Sequence, residues 1–183
     1  MTKIVIDVMG GDFAPQQQVA GSVLALNKDK DLSLILVGDE AQIKAELSKY
    51  SYDGNRLEIV HTSETIGMEE IPTKAVKTKR DSSLVVAFKL LKEGKADGLV
   101  SSGSTGAVLT GGVLILGRIK GVSRPALCPA IPNHRGEVTL LCDCGANLEC
   151  KSINLVHFAM MASAYSETVF GVKNPKVGLL NNG

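Results

Sequence analysis

The feature that most constrains this chain is a repeated alternation of two patterns. Short runs rich in β-branched residues occur at Lys3 to Met9 (KIVIDVM), Leu32 to Gly38 (LSLILVG), Leu57 to Thr62 (LEIVHT) and Ala96 to Ser102 (ADGLVSS), and stretches with apolar residues at helical spacing lie between and after them. A run that is apolar on both faces is buried only between two layers. The alternation therefore predicts a three-layer α/β fold, a mostly parallel sheet with helices on both faces. The inner faces of the helices carry Val19, Val23 and Leu26, then Ile43, Leu47 and Tyr50, then Leu84, Phe88 and Leu91. Asp39 is placed as an N-cap, Pro72 at a first helical position and Gly94 as a C-terminal cap. Further on, Ala126 to Ile131 and Glu137 to Cys142 read as two more strands. Ser152 to Tyr165 reads as a helix with Ile153, Val156, Met160 and Ala164 inward, and Lys176 to Leu180 as a last strand. A buried strand that runs straight into Asn181-Asn182-Gly183, with no helix to cover it, is an unusual end for a domain. Residues 1–183 are accordingly expected to be one incomplete α/β domain.

Composition narrows the function classes. Apolar residues make up 44% of the chain and charged residues 21%, as in ordinary globular proteins. A net charge of +1 supplies no field for nucleic acid or an anionic membrane. Two basic clusters, Lys74, Lys77, Lys79 and Arg80 and then Arg118, Lys120 and Arg124, carry no interleaved aromatic residues, which argues against nucleic-acid binding. Met1-Thr2-Lys3 leads directly into a strand without a signal peptide. The uncharged run from Leu99 to Gly117 is broken by Gly and Ser, as a buried strand–turn–helix would be, so a cytoplasmic location is expected. The four cysteines, at 128, 142, 144 and 150, are read as reduced, small buried thiols. Cys142-x-Cys144 lacks the second pair that a zinc site needs, so no metal is expected.

In open parallel sheets, ligands bind where strands end and helices begin. Four such ends here are rich in Gly, Asp, Asn and Ser. In Asp7-Val8-Met9-Gly10-Gly11-Asp12-Phe13-Ala14-Pro15, Gly10 and Gly11 allow close approach of backbone to ligand, and the alternative is a tight turn held by Asp12. In Ser101-Ser102-Gly103-Ser104-Thr105-Gly106-Ala107, a strand breaks into a hydroxyl- and glycine-rich turn that opens a helix. That arrangement suits a phosphate cradle, and the alternative makes Ser104 an N-cap only. Neither loop is a Walker A or G-x-G-x-x-G motif. In Asp143-Cys144-Gly145-Ala146-Asn147, Asn147 is a donor for a phosphate or carbonyl oxygen, or else a loop clasp with Asp143. The fourth end begins at Asn181. Arg118 and Arg124 bracket the loop that leaves the Gly-rich helix, where contact with phosphate or an acidic partner is expected. His61, His134 and His157 show no spacing of a catalytic triad.

Taken together, D-V-M-G-G-D at 7–12 with Ala14-Pro15, S-G-S-T-G-A at 102–107, G-R-I at 117–119 with Arg124-Pro125, D-C-G-A-N at 143–147 and V-G-L-L-N at 177–181 resemble the bacterial phosphate acyltransferases of phospholipid synthesis, the PlsX family. The resemblance spans this whole chain but only the N-terminal half of a typical member. It implies a fold like those of isocitrate dehydrogenase and phosphotransacetylase, a homodimer, and transfer of a fatty acyl group from acyl carrier protein to inorganic phosphate. The acyl phosphate product would pass to a membrane-bound glycerol-phosphate acyltransferase, so peripheral association with the inner face of the membrane is compatible with it. Two positions depart from the pattern. Ser104 stands where Asn is more frequent and Cys144 where Val or Leu is common.

The chemistry needs no cofactor, because phosphate is already an anion that attacks a thioester once it is positioned and the oxyanion is stabilised. Ser102, Ser104 and Asn147 are assigned to that work. Gly10, Gly11, Gly103, Thr105, Gly106, Arg118, Arg124 and Asn181 are assigned to substrate binding, and Asp7, Asp12 and Asp143 to holding the loops. Two alternatives stand: a phosphotransacetylase-like enzyme using acyl-CoA, and a phosphate- or nucleotide-binding module without activity.

Overall fold

A computed structural model of the chain describes residues 1–181. The chain divides into two compact units, one from Met1 to Gly117 and one from Arg118 onward, where the sequence predicts a single domain.

The first unit is the expected α/β sandwich. Strands β1 (Thr2–Asp7), β2 (Leu32–Gly38), β3 (Leu57–His61) and β4 (Gly98–Ser101) form one parallel sheet in the order β3-β2-β1-β4. Side-chain alternation sends the two faces of each strand into different cores. Leu34 and Leu36 pack with Val19, Val23 and Leu26 of α1 (Gln16–Lys28) and Ile43 and Leu47 of α2 (Glu40–Leu47). Val5, Ile35 and Val37 face the opposite way, towards Ala87 of α4 (Ser83–Lys92). Helix α3 (Pro72–Thr78) and helix α5 (Thr105–Gly111) extend that second layer, with Ala75, Val76, Phe88 and Ala107 in one cluster. The starting residues act as read: Asp39 accepts from the Gln42 amide at 2.9 Å, Pro72 opens α3, and Gly94 follows α4 with φ +71°. Tyr50 lies beyond α2 and is exposed. Gly112–Leu116 continues α5 as a π-helical turn, where the apolar run predicts one unbroken helix from about Ser104 to Leu116.

Arg56, buried beneath β3, ties the α1–β2 connection together. Its guanidinium donates to the carbonyls of Leu26, Asp29 and Leu32 at 2.9–3.0 Å and pairs with Asp53. Nothing in the sequence reading singled it out.

The second unit departs from expectation in three places. Strands β5 (Ala130–Pro132) and β6 (Val138–Leu140) are shorter than read and form a separate antiparallel ribbon. Helix α6 (Ser152–Phe170) buries Asn154 and Phe158, while Ile153, Val156 and Met160 are exposed, so the expected inner stripe lies outward. Residues 176–180 form no strand, and Val177, Leu179 and Leu180 are exposed. A strand exists only by pairing, and no described strand lies alongside.

Candidate functional site

The strand order decides which loops meet. The chain leaves β1 towards β2 and β3, then crosses back to place β4 on the other side of β1. The carboxyl ends of β1 and β4 therefore flank the point where the order reverses, which is where open α/β sheets bind ligands. The register sets Asp7 beside Ser101. The turn after Asp7 and the turn after Ser101 are thus neighbours in space, although 94 residues separate them.

Asp7 is the buried post under this junction. Its carboxylate accepts from the Ser83 hydroxyl at 2.6 Å and the Ser101 hydroxyl at 2.7 Å, and Ser101 in turn accepts from the Gly103 amide at 3.1 Å. Above it the two glycine turns touch through their backbones. A Cβ built on Gly10 would lie 2.5 Å from Asp7 Oδ2 and 2.9 Å from the Gly103 nitrogen, so Gly10 requires glycine for space, while a Cβ on Gly103 would be tight at 3.2 Å from Gly10 Cα. Gly11, at φ +107°, requires it for conformation as well. The Ser102 hydroxyl donates to the Gly10 carbonyl at 2.9 Å. Gln18, from the first turns of α1, donates to that carbonyl at 2.7 Å and to Ser102 Oγ at 2.8 Å. Gln18 is a member of the site that the sequence reading missed, since a glutamine on a helix carries no motif. Its Oε1 is buried without a donor among the described residues, which leaves one acceptor unused at the junction.

Other expected residues take different places. Ser104 is buried, and its Oγ accepts from the Ala107 amide at 3.4 Å as the N-cap of α5. Thr105 is exposed at the first helical position. Gly106 serves packing, since a Cβ there would meet Pro72 Cγ at 2.7 Å. Asp12 was expected to hold its turn; it is exposed and makes no side-chain hydrogen bond among the described residues, because Asp7 and Gln18 already hold the loops.

A groove of about 430 Å³ opens beside the junction. Its lining is polar at Asp7, Gln18, Ser101 and Ser102 and apolar at Ile4, Ile6, Ala25, Leu34 and Val100, with Gly21 of α1 along one side. The groove follows α1 along the open edge of β4, where Val100 is exposed.

In the second unit, Asp143 and Asn147 form a clasp. Asp143 accepts from the Leu127 amide at 2.7 Å and from the Asn147 amide at 2.8 Å. The Asn147 side chain donates to the Pro125 carbonyl at 2.8 Å and to Asp143 at 3.1 Å. Both amide hydrogens of Asn147 are thereby used inside the loop, and Oδ1, an acceptor, is what remains to face a ligand. The donation to phosphate expected of Asn147 is not open in this arrangement. Arg118 donates to the Ser123 carbonyl and Arg124 to the Glu149 carbonyl at 3.0 Å, so both exposed arginines also tie down loops. Ser123 Oγ accepts from buried Asn154 at 2.8 Å and lies 3.4 Å from His157 Nδ1, a contact that spacing alone did not show. Asn181 is exposed; the rest of that expected strand end, Asn182-Gly183, lies outside the described residues. No group of three or more His, Cys, Asp or Glu residues among the described ones is placed to hold a metal, and no described helix is long and apolar enough to cross a membrane.

A parallel α/β sheet with glycine–serine turns meeting at its switch point defines a class of proteins that bind small ligands at strand ends. Within that class the chain belongs to the family described as fatty acid synthesis protein, which matches residues 2–183. It is 54% identical over 181 residues to a phosphate acyltransferase of Clostridioides difficile and 46% identical to one of Syntrophomonas wolfei, in each case across 99% of this chain. It covers 53% and 57% of those proteins, so the chain spans about half the length of the curated relatives it matches. Among solved structures, a phosphotransacetylase from Streptococcus pyogenes superposes with a TM-score of 0.68 at 20% identity, and the EutD phosphotransacetylase from Staphylococcus aureus with 0.64 at 24%. Each alignment covers 93% of this chain and about half of the other, and shares the fold.

Proposed function

We propose that the protein transfers a fatty acyl group from acyl carrier protein to inorganic phosphate, forming acyl phosphate for phospholipid synthesis. The observation that carries the reading is the junction of the Gly10 and Gly103 turns beside a largely apolar groove that shares Asp7, Gln18, Ser101 and Ser102 with it. The polar end suits phosphate and the thioester carbonyl, and the groove suits a hydrocarbon chain far larger than acetyl. The family and the phosphate acyltransferase relatives point the same way. Attack is direct: the Ser102 hydroxyl donates to a carbonyl and has no base beside it, so nothing activates it as a nucleophile. The enzyme's part is to position phosphate and exclude water.

Blocking the groove tests the reading. Gly21 lines it from α1, and a Cβ there meets no atom within 4 Å. Gly21→Phe in the full-length enzyme should leave folding intact, because a Cβ there meets no atom and phenylalanine is no worse a helix former than the glycine it replaces. Turnover of long-chain acyl carrier protein should fall at least about tenfold while short acyl donors are spared, a loss of about 1.4 kcal/mol of transition-state binding. Equal loss for both chain lengths would remove the acyl chain from the groove. A matched series of acyl-CoA and acyl carrier protein donors separates this reading from a phosphotransacetylase-like one.

The protein is further proposed to act as a homodimer, with the exposed basic segment from Arg118 to Arg124 facing the acidic carrier. Since Arg118 and Arg124 also hold loops, Lys120→Glu is the clean probe. It should raise the KM for acyl carrier protein several-fold at low salt, leave the phosphate KM unchanged, and lose its effect at high salt.

A further inference from the structure

The ribbon of the second unit carries an arrangement that acyl transfer does not use. Its register pairs Ala130 with Leu140, Ile131 with Thr139 and Pro132 with Val138. Beyond the strands it continues in both directions: the Leu141 amide donates to the Pro129 carbonyl at 3.2 Å and the Asn133 amide to the Glu137 carbonyl at 2.9 Å. The pairs 129/141 and 133/137 are thus hydrogen-bonded ones, and 128/142, the next pair outward, falls where alternation puts a non-hydrogen-bonded pair, just before the register slips by one residue at Leu127, whose carbonyl accepts from the Cys144 amide at 2.9 Å. At non-hydrogen-bonded positions the Cα atoms of antiparallel strands lie about 4.5 Å apart with side chains at their closest. Disulfides span Cα separations of about 4.4–6.8 Å, so the site has the reach for one. The residues there are Cys128 and Cys142, both free thiols and half-buried, whereas Cys144 and Cys150 are exposed. The protonation of Cys142 reports the same proximity. Its thiol is pushed up to about 12, first by burial and then by the charge and hydrogen bond of Cys128.

We propose that Cys128 and Cys142 form a redox-responsive dithiol that closes into a cross-strand disulfide on reaction with a low-molecular-weight disulfide. Burial and the neighbouring Cys128 keep the Cys142 thiol protonated, so Cys128 attacks first, as its thiolate, breaking the S–S bond of the small disulfide and releasing one small thiol, which takes up the proton. The second protein thiolate attacks the protein sulfur of the mixed disulfide, forming the Cys128–Cys142 bond and releasing the second small thiol. The dithiol is oxidised, the small disulfide is reduced, and the two thiol protons end on its two halves. The neighbours of the pair give the bond its effect. Leu127 precedes Cys128 and Asp143 follows Cys142, and these are the residues joined by the Asp143 carboxylate. The disulfide would place a covalent staple beside that hydrogen bond, at the root of the loop that carries Asn147.

The test is exposure of the full chain to glutathione disulfide, followed by acid trapping, alkylation of remaining thiols and peptide mapping by mass spectrometry. The expected result is a linked 128–142 peptide pair at least about tenfold more abundant than any other cysteine pairing, lost in Cys128→Ser and Cys142→Ser and restored to statistical pairing in denaturant. Glutathione on Cys144 or Cys150 with Cys128 and Cys142 still alkylated would overturn the proposal, as would equal yields of other pairings in the native chain. The native wild-type map decides the matter even if a serine variant fails to fold.

Discussion

The unit from Met1 to Gly117 buries apolar side chains on both faces of its sheet, whereas from Arg118 onward Phe158 is the one apolar side chain among the described residues buried to that degree. In the second unit Leu148 is fully exposed and Ile153, Val156, Met160 and Leu180 are largely so. Its order comes from polar clasps instead: Asp143 with Leu127 and Asn147, Arg124 with Glu149, Asn154 with Ser123. The difference in mechanism is a difference in strength. A fully buried aliphatic side chain contributes about 1.5–3 kcal/mol, a typical hydrogen bond only about 0.5–1.5 kcal/mol net, and less where water competes for both partners. The first unit has its layers in place within this chain. The second presents an apolar helix face, in a chain half the length of its curated relatives.

Hydrogen exchange offers the widest margin for breaking this comparison. Amides of β1 and β2, central in a four-stranded sheet, should open only with the whole unit. Those of β5 and β6 should open locally, and exchange on the order of a hundredfold faster or more. Equal protection of the two sheets would show that the second unit has a source of stability beyond its clasps.

Glycine substitutions sharpen the contrast at single positions. Gly10→Ala drives a Cβ to 2.5 Å from Asp7 Oδ2 and against the Gly103 backbone, neither of which yields without moving the Asp7–Ser83–Ser101 network. Overpacking of this kind costs roughly 1–3 kcal/mol. Gly178→Ala, where a Cβ meets nothing within 4 Å, should leave the denaturation midpoint unchanged. Urea unfolding of both variants beside wild type measures the difference, and matched midpoints would mean that the glycine junction is not rigid.

What the sequence made legible follows the same division. In the first unit, runs such as LSLILVG are apolar on both faces, and they belong to strands buried between two helical layers. The caps at Asp39 and Gly94 were readable because local geometry demands particular residues there. Strand order was not readable. Nothing in the spacing of Asp7 and Ser101 says that β1 and β4 are neighbours, yet that adjacency builds the site and recruits Gln18. Gly106 passed for part of a cradle because the sequence does not show Pro72 against it. In α6, Ile153, Val156 and Met160 make as good a stripe as the face that is buried, so periodicity without a partner could not choose between them. Cys128 and Cys142 share no motif in the sequence, and only the ribbon, extended outward past the 129/141 pair, brings them opposite one another.

Acid gives the smallest effect, and its sign is fixed by the carboxylates of the first unit. The Gln42 amide holds Asp39 below its ordinary range, Lys44 does so for Glu40, Arg56 for Asp53, Lys79 for Glu70, Ser63 for Asp81 and Lys95 for Glu93. A carboxyl group with a lower pKa folded than unfolded contributes stability above its unfolded value, near pH 4, and loses it as pH falls through the folded value. All six groups are at the surface, where water and salt screen each contribution. The urea midpoint of the first unit, followed by exchange or by a fluorophore placed in it, should therefore decline between about pH 5 and pH 3, and the decline should shrink in high salt. Asp39→Asn should remove part of the pH dependence while keeping an N-cap side chain, since asparagine caps about as well as aspartate. A midpoint that held or rose on acidification would mean that these partners do not favour the ionised carboxylates in the folded unit.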